Sequence, residues 1–177
     1  SSQVYPGDYN GDGLEDILVF RLLSHTYYLS FLISNGTSFT EIQYSTPFGS
    51  SSNTYYSGDF NGNGKMDLMI KIASYYNCLI YEFNFPTGGG VTFTLIGQSN
   101  ITWGTKTSLT KIKEVPLDMN GDGKTEVMAS DNDGSRFYGL QEGKTAMYEL
   151  CSSCDVNNEI GNRLGSCNGE GLEEIVF

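Results

Sequence analysis

Residues 8–16 read Asp-Tyr-Asn-Gly-Asp-Gly-Leu-Glu-Asp, and the same order of acids, amides and glycines returns at 59–67 and 118–126. Aligned on the first Asp, the loop is D-x-N-G-D/N-G-x-x-D/E. The first copy supplies Asp8, Asn10, Asp12 and Asp16, the second Asp59, Asn61, Asn63 and Asp67, the third Asp118, Asn120, Asp122 and Glu126. Oxygens at positions 1, 3 and 5, with the backbone carbonyl at position 7, can converge on one ion if the chain turns sharply at position 6. Glycine permits that turn because it tolerates positive φ. An all-oxygen set with no His or Cys selects a hard cation, and a flexible loop favours Ca²⁺ over Mg²⁺. A single copy reads about equally well as a plain Asp/Asn/Gly turn. Three nearly complete copies favour the metal.

A fourth stretch, SCNGEGLEEIVF from Ser166, keeps Asn168, Glu170 and Glu174 but has lost the first acid. Sites one and three each carry three carboxylates within the loop, whereas site two carries two because Asn63 stands at position 5. Charge alone therefore ranks sites one and three above two, with the fourth weak or empty. Ten of the 21 acids occupy such loop positions, so the net charge of −11 marks cation sites rather than a solvated face. Two or three bound Ca²⁺ ions would offset a large part of it. The same acidity, with no basic cluster, argues against a nucleic-acid partner.

The elements that hold the loops follow from what flanks them. An EF-hand would close with Glu at position 12 on a helix, but Val19, Ile70 and Ala129 stand there. The closing acid instead precedes short apolar runs, Ile17-Leu18-Val19-Phe20, Leu68-Met69-Ile70 and Val127-Met128-Ala129, which predict strands buried on both faces. Further along, Tyr27 to Ser34 and Ser38 to Gln43 flank an Asn35-Gly36 turn, a hairpin signal. Tyr75 to Phe85 and Val91 to Gly97 flank a Pro-Thr-Gly-Gly-Gly loop, and Arg136 to Leu140 and Thr145 to Leu150 flank Glu142-Gly143. Each unit thus has a strand before the loop, one after it, and an outer hairpin. The loops begin 51, 59 and 48 residues apart, a spacing suited to a propeller blade. High Gly (22) and Tyr (12) agree with an all-β chain rich in turns.

The repeats resemble FG-GAP repeats of the VCBS type, the blades of integrin-α-like β-propellers. The resemblance implies that a Ca²⁺ loop joins the first and second strands of each blade. It assigns the four side chains of each copy to one ion, together with the carbonyls of Leu14, Lys65 and Lys124. The expected fold is all-β: three full four-stranded blades, with approximate units 1–50, 51–109 and 110–157, and part of a fourth at 158–177. Such a set does not close a propeller, so a piece of a longer chain is expected, with an open strand edge available for self-association.

Other features read more plainly. Cys151 and Cys154, with Cys167 further on, lack a fourth zinc ligand, since the one His is His25. Structural or disulfide roles are expected, with the pairing open, and Cys78 is expected in the core. Asn35 and Asn100 open N-glycosylation triplets, which matter only in a secreted eukaryotic protein. Tyr27, Tyr28, Tyr55, Tyr56, Tyr75, Tyr76 and Trp103 could floor a sugar site, but strands favour such residues anyway. No apolar stretch approaches a membrane span, and no signal segment stands among the first residues, which would place one upstream or already removed.

No nucleophile motif or phosphate-cradling loop is present, so catalysis is not expected. The sequence points to a calcium-stabilised propeller segment of an extracellular or cell-surface protein, for adhesion, recognition or scaffolding, with a protein or glycan ligand. Alternatives are a lectin-like propeller or part of a calcium-dependent polysaccharide lyase. The lyase would call for basic residues near the ions, and Arg21, Lys71, Arg136 and Arg163 form no visible cluster.

Overall fold

The computed structural model describes residues 2–72, 78–98, 111–118, 121–131, 134–140 and 147–154, and throughout these the regular structure is β. Strands β1 (Ser2–Gly7), β2 (Asp16–Leu23), β3 (Thr26–Ser34) and β4 (Phe39–Ser50) form one antiparallel meander in that spatial order. A second contains β5 (Thr54–Gly58), β6 (Asp67–Lys71), β7 (Cys78–Asn84) and β8 (Thr92–Gln98). The third contains β9 (Lys111–Leu117), β10 (Glu126–Asp131), β11 (Gly134–Leu140) and β12 (Met147–Cys154). In every sheet an acidic loop joins the first strand to the second. The expected fourth unit, with Asn168, Glu170, Glu174 and Cys167, lies outside the described residues, as do Asn100 and Trp103.

Side-chain alternation decides how the sheets stack. On β6, Leu68 and Ile70 pack with Leu18, Phe20, Leu29 and Phe31 of the first sheet. Met69, between them, points the other way and joins Val127, Tyr138 and Leu140 of the third. Strand β6 is therefore buried on both faces, as its apolar run predicts. The first sheet differs. On β2, Leu18 and Phe20 are buried while Ile17 and Val19 are only half-buried, so an unbroken apolar run there serves one covered face.

Aromatic rings fill the seam between the first two sheets. Phe20 lies 4.5 Å from Tyr55, tilted, and Phe31 4.7 Å from Phe83, edge-to-face, between ring centroids. Tyr55 also donates its hydroxyl to the Ser50 carbonyl (2.9 Å), and desolvation raises its pKa to about 12. Tyr27, Tyr55 and Tyr56 are all buried, so these three are core residues rather than a sugar platform. Cys78 is likewise buried in the core, as expected.

The hairpin at Asn35 is closed by its own side chain. Asn35 Oδ1 accepts the N–H groups of Thr37 (3.0 Å) and Ser38 (2.8 Å), and the Asn35 N–H donates to the Ser38 carbonyl. Gly36 takes φ 83°, the left-handed conformation such a turn requires. Strand β4 runs on to Ser50, well past the expected end at Gln43, through a register shift between the Tyr27 and Leu29 pairs.

Close approach of neighbouring sheets also fixes small residues. A β-carbon on Gly58, the last residue of β5, would lie 2.7 Å from Thr125 Cγ2 and 2.9 Å from its hydroxyl. Thr125 is β-branched and cannot swing clear. Gly58→Ala is expected to lower stability in urea denaturation by about 1–3 kcal/mol. Gly88→Ala, on an open loop with nothing within 4 Å, is expected to stay within about 0.5 kcal/mol.

Candidate metal centre

Each acidic loop is folded by its first aspartate. Asp8 Oδ1 accepts the N–H of Gly11 (2.6 Å) and of Asp12 (3.3 Å), and Oδ2 accepts that of Gly13 (2.7 Å). Asp59 does the same with Gly62, Asn63 and Gly64 at 2.7, 3.1 and 2.7 Å. Asp118 holds Gly121, Asp122 and Gly123 at 2.7, 2.9 and 2.7 Å. Position 5 repeats the device one step on: Asp12, Asn63 and Asp122 each accept, through Oδ1, the N–H of Leu14, Lys65 and Lys124. The glycines at positions 4 and 6 all have φ between 75° and 83°, which is why the pattern needs Gly there.

The closing acid sits where the loop meets the sheet. Asp16 pairs across to Gly7 and Asp67 to Gly58, so each loop is pinched between the residue before its first acid and its closing acid. Both aspartates are fully buried, and Glu126 is nearly so. Asp16 satisfies both oxygens, accepting from the Tyr9 N–H (3.1 Å) and the Ser34 N–H (2.8 Å). Asp67 accepts the Phe60 N–H at 3.0 Å on Oδ2, but its Oδ1 has no hydrogen-bond partner among the described residues. Desolvation raises the pKa of both, that of Asp67 to about 8, with the charges of Asp59 and Glu82 adding to the effect. Tyr9 and Phe60, at loop position 2, are buried packing residues.

The sequence-predicted residues come together to different degrees. In the third loop, Asp118, Asp122 and Glu126 each bring a carboxylate oxygen within 4.8 Å of the others. Asn120 lies outside the described residues. In the first, Asn10 Nδ2 donates to Asp12 Oδ2 (2.9 Å), and Asp16 feels the charges of Asp12 and Asp8. In the second, one participant is not in the loop at all. Glu82, on β7, accepts from the amides of Asn61 (2.9 Å) and Asn63 and pairs with Lys65 Nζ at 2.9 Å. Burial alone would raise its pKa, but these bonds outweigh it and hold Glu82 below the ordinary glutamate value. No loop motif contains Glu82. It was not legible because it arrives through the β6–β7 register, one residue beyond the Leu68–Tyr81 pair.

Adjacent loops are also tied to each other. The Met66 N–H donates to the Asp8 carbonyl (2.7 Å), and the Thr125 N–H donates to the Asp59 carbonyl (2.6 Å). The position-7 lysines lie over the preceding loop, with Lys65 Cγ 3.0 Å from where a β-carbon on Gly11 would be, and Lys124 likewise at Gly62.

The donor set fits a hard cation. It is all oxygen and strongly negative, and it includes a buried carboxylate oxygen left unpaired, an arrangement costly unless a positive partner is supplied.

Comparison with known proteins supplies the class. The model of the FG-GAP-like repeat matches residues 8–70, so over those residues this chain is similar to FG-GAP-like repeats, and its sheets have the four-stranded antiparallel form of β-propeller blades. A solved structure of an Agrocybe aegerita lectin that recognises non-reducing terminal N-acetylglucosamine is similar in fold. The likeness has a TM-score of 0.53 at 19% identity, covering 83% of this chain and 37% of the lectin chain. This chain thus spans a little over a third of that protein. No curated protein matches it in sequence.

Asp67 gives the site a pH signature in metal-free protein. Its folded pKa of about 8 lies above the ordinary 3.8, so between those values the folded state holds a proton the unfolded chain has released. Stability from this group is therefore lost as pH rises through that window. In chelator, Asp67→Asn is expected to flatten the fall in melting temperature between about pH 5 and about pH 8, measured against wild type.

Proposed function

We propose that this chain is a non-catalytic, calcium-stabilised segment of β-propeller serving recognition in an extracellular or cell-surface protein. The observation that carries the calcium reading is the unpaired, fully buried Oδ1 of Asp67 at the closing position of an acidic loop. The three converging carboxylates of the third loop support it. Calcium held by Asp8, Asn10, Asp12 and Asp16, by Asp59, Asn61, Asn63 and Asp67, and by Asp118, Asn120, Asp122 and Glu126 would neutralise the like charges where each blade's second strand begins. The carbonyls of Leu14, Lys65 and Lys124 complete the proposed sets. The fourth loop, with Asn168, Glu170 and Glu174, is proposed to be weak or empty.

Calorimetric titration of chelator-stripped protein with Ca²⁺ tests this. Two or three binding events are expected. Melting temperature should rise by about 5–10 °C for each site filled at a roughly hundredfold excess over its Kd. An absence of binding, with melting indifferent to chelator, would return the loops to plain turns.

A second reading, glycan binding, is favoured by the likeness to the lectin. The probe is a set of oligosaccharides ending in N-acetylglucosamine, offered with calcium present. Binding that leaves the sugar intact supports a lectin-like propeller, and cleavage of a uronic-acid polymer would support the lyase alternative. Failure to bind any glycan would leave protein recognition or scaffolding.

A further inference from the structure

The second loop is the one whose local sequence is short of charge, because Asn63 occupies position 5 where Asp12 and Asp122 stand. The structure shows what takes that place. In the first loop, the position-3 amide of Asn10 donates to the carboxylate of Asp12. In the second, the equivalent amide of Asn61 donates to the carboxylate of Glu82, and so does the amide of Asn63 itself. Glu82 thus makes the contact that Asp12 makes in the first loop, reaching it from the neighbouring strand. The corresponding positions opposite the other two closing acids, one residue beyond the Leu32 and Tyr138 pairs, are Ile33 and Gly139. Neither can supply charge. Among the three described units, an acid stands at this strand position in the one whose loop lacks an acid at position 5.

We infer that Glu82 supplies the third carboxylate of the second cation site, restoring the charge lost at Asn63. Three groups around the site carry the argument. Asp59 is occupied in folding the loop. Asp67 presents a buried, unpaired oxygen that senses both Asp59 and Glu82. Lys65 lies against Glu82 at 2.9 Å, and its ammonium competes with an incoming ion for that carboxylate. A divalent ion carries twice the charge and can serve several oxygens at once, which one ammonium cannot do across the whole set. The ranking of the second site below the first and third, drawn from loop residues alone, therefore does not hold once Glu82 is counted.

The inference rests on the calcium reading, and one titration series separates the two. The full chain, stripped with chelator, is titrated with Ca²⁺ alone, and Asp59→Asn marks which binding event belongs to the second site. Glu82→Gln is expected to weaken that event by at least about tenfold and to leave the others unchanged. Adding Asn63→Asp to Glu82→Gln is expected to restore it, which a merely structural role for Glu82 would not produce. Lys65→Met, which keeps every carboxylate and most of the lysine stem, is expected to tighten it. Binding by the wild type with an unchanged second event in Glu82→Gln overturns this inference alone, as does a loss that Asn63→Asp fails to rescue. No binding by the wild type overturns the calcium reading and this assignment with it.

Discussion

One carboxylate organises each loop, and for the first two loops the loop that follows depends on the same residue. The side chain of Asp8 gathers three backbone N–H groups of its own loop, while its carbonyl accepts the Met66 N–H from the next. Asp59 does both for its own loop and for Thr125. Charge-assisted bonds of this kind are stronger than neutral ones, and here they converge on a partly exposed group. A distortion at Asp59 would move the third loop as well as the second. Glycine follows from the same geometry: left-handed φ inside the loops, and close packing against Thr125 at Gly58.

The closing acid sets the opposite problem. It stands at the first residue of β2, β6 and β10, where a polar turn becomes an apolar strand, and it is buried each time. Asp16 resolves its burial with two N–H donors. Asp67 has one, and the remaining oxygen faces a cost that backbone hydrogen bonds do not relieve. The aromatic and aliphatic seam beneath these residues excludes the water that would otherwise solvate them. Core packing and the electrostatics of the loops are thus parts of one design. Better burial of the seam makes a positive partner at the loop more valuable.

What could be read from the sequence was local. Asp, Asn and Gly at fixed offsets dictate a turn through bonds that span five residues or fewer, so all three loops and the Asn35 hairpin were legible. Strand identity was legible from short apolar runs, but the burial of each face was not. Ile17-Leu18-Val19-Phe20 and Leu68-Met69-Ile70 look alike, yet only the second is covered on both sides among the described residues, because stacking decides it. The tyrosines were ambiguous for the same reason until Tyr27, Tyr55 and Tyr56 were placed in the core. Glu82 was invisible because the strand register brings it to Asn61 and Asn63 across about twenty residues. Nothing in its own neighbourhood marks it.

That position on the third strand of each blade bears on how the units diverge. The loop interior is nearly constant across the three copies, since its residues are committed to folding the turn. The residue opposite the closing acid is committed to nothing so general, and it is Ile33 in one blade, Glu82 in the next and Gly139 in the third. Variation there can alter the charge at a loop without disturbing the bonds that shape it. The fold likeness to the lectin is compatible with this freedom, since a shared blade scaffold leaves ligand choice to positions the scaffold does not constrain. Asn63 then ceases to be a defect in a repeat. With Glu82 facing it, the second loop has its third carboxylate on the sheet rather than in the turn.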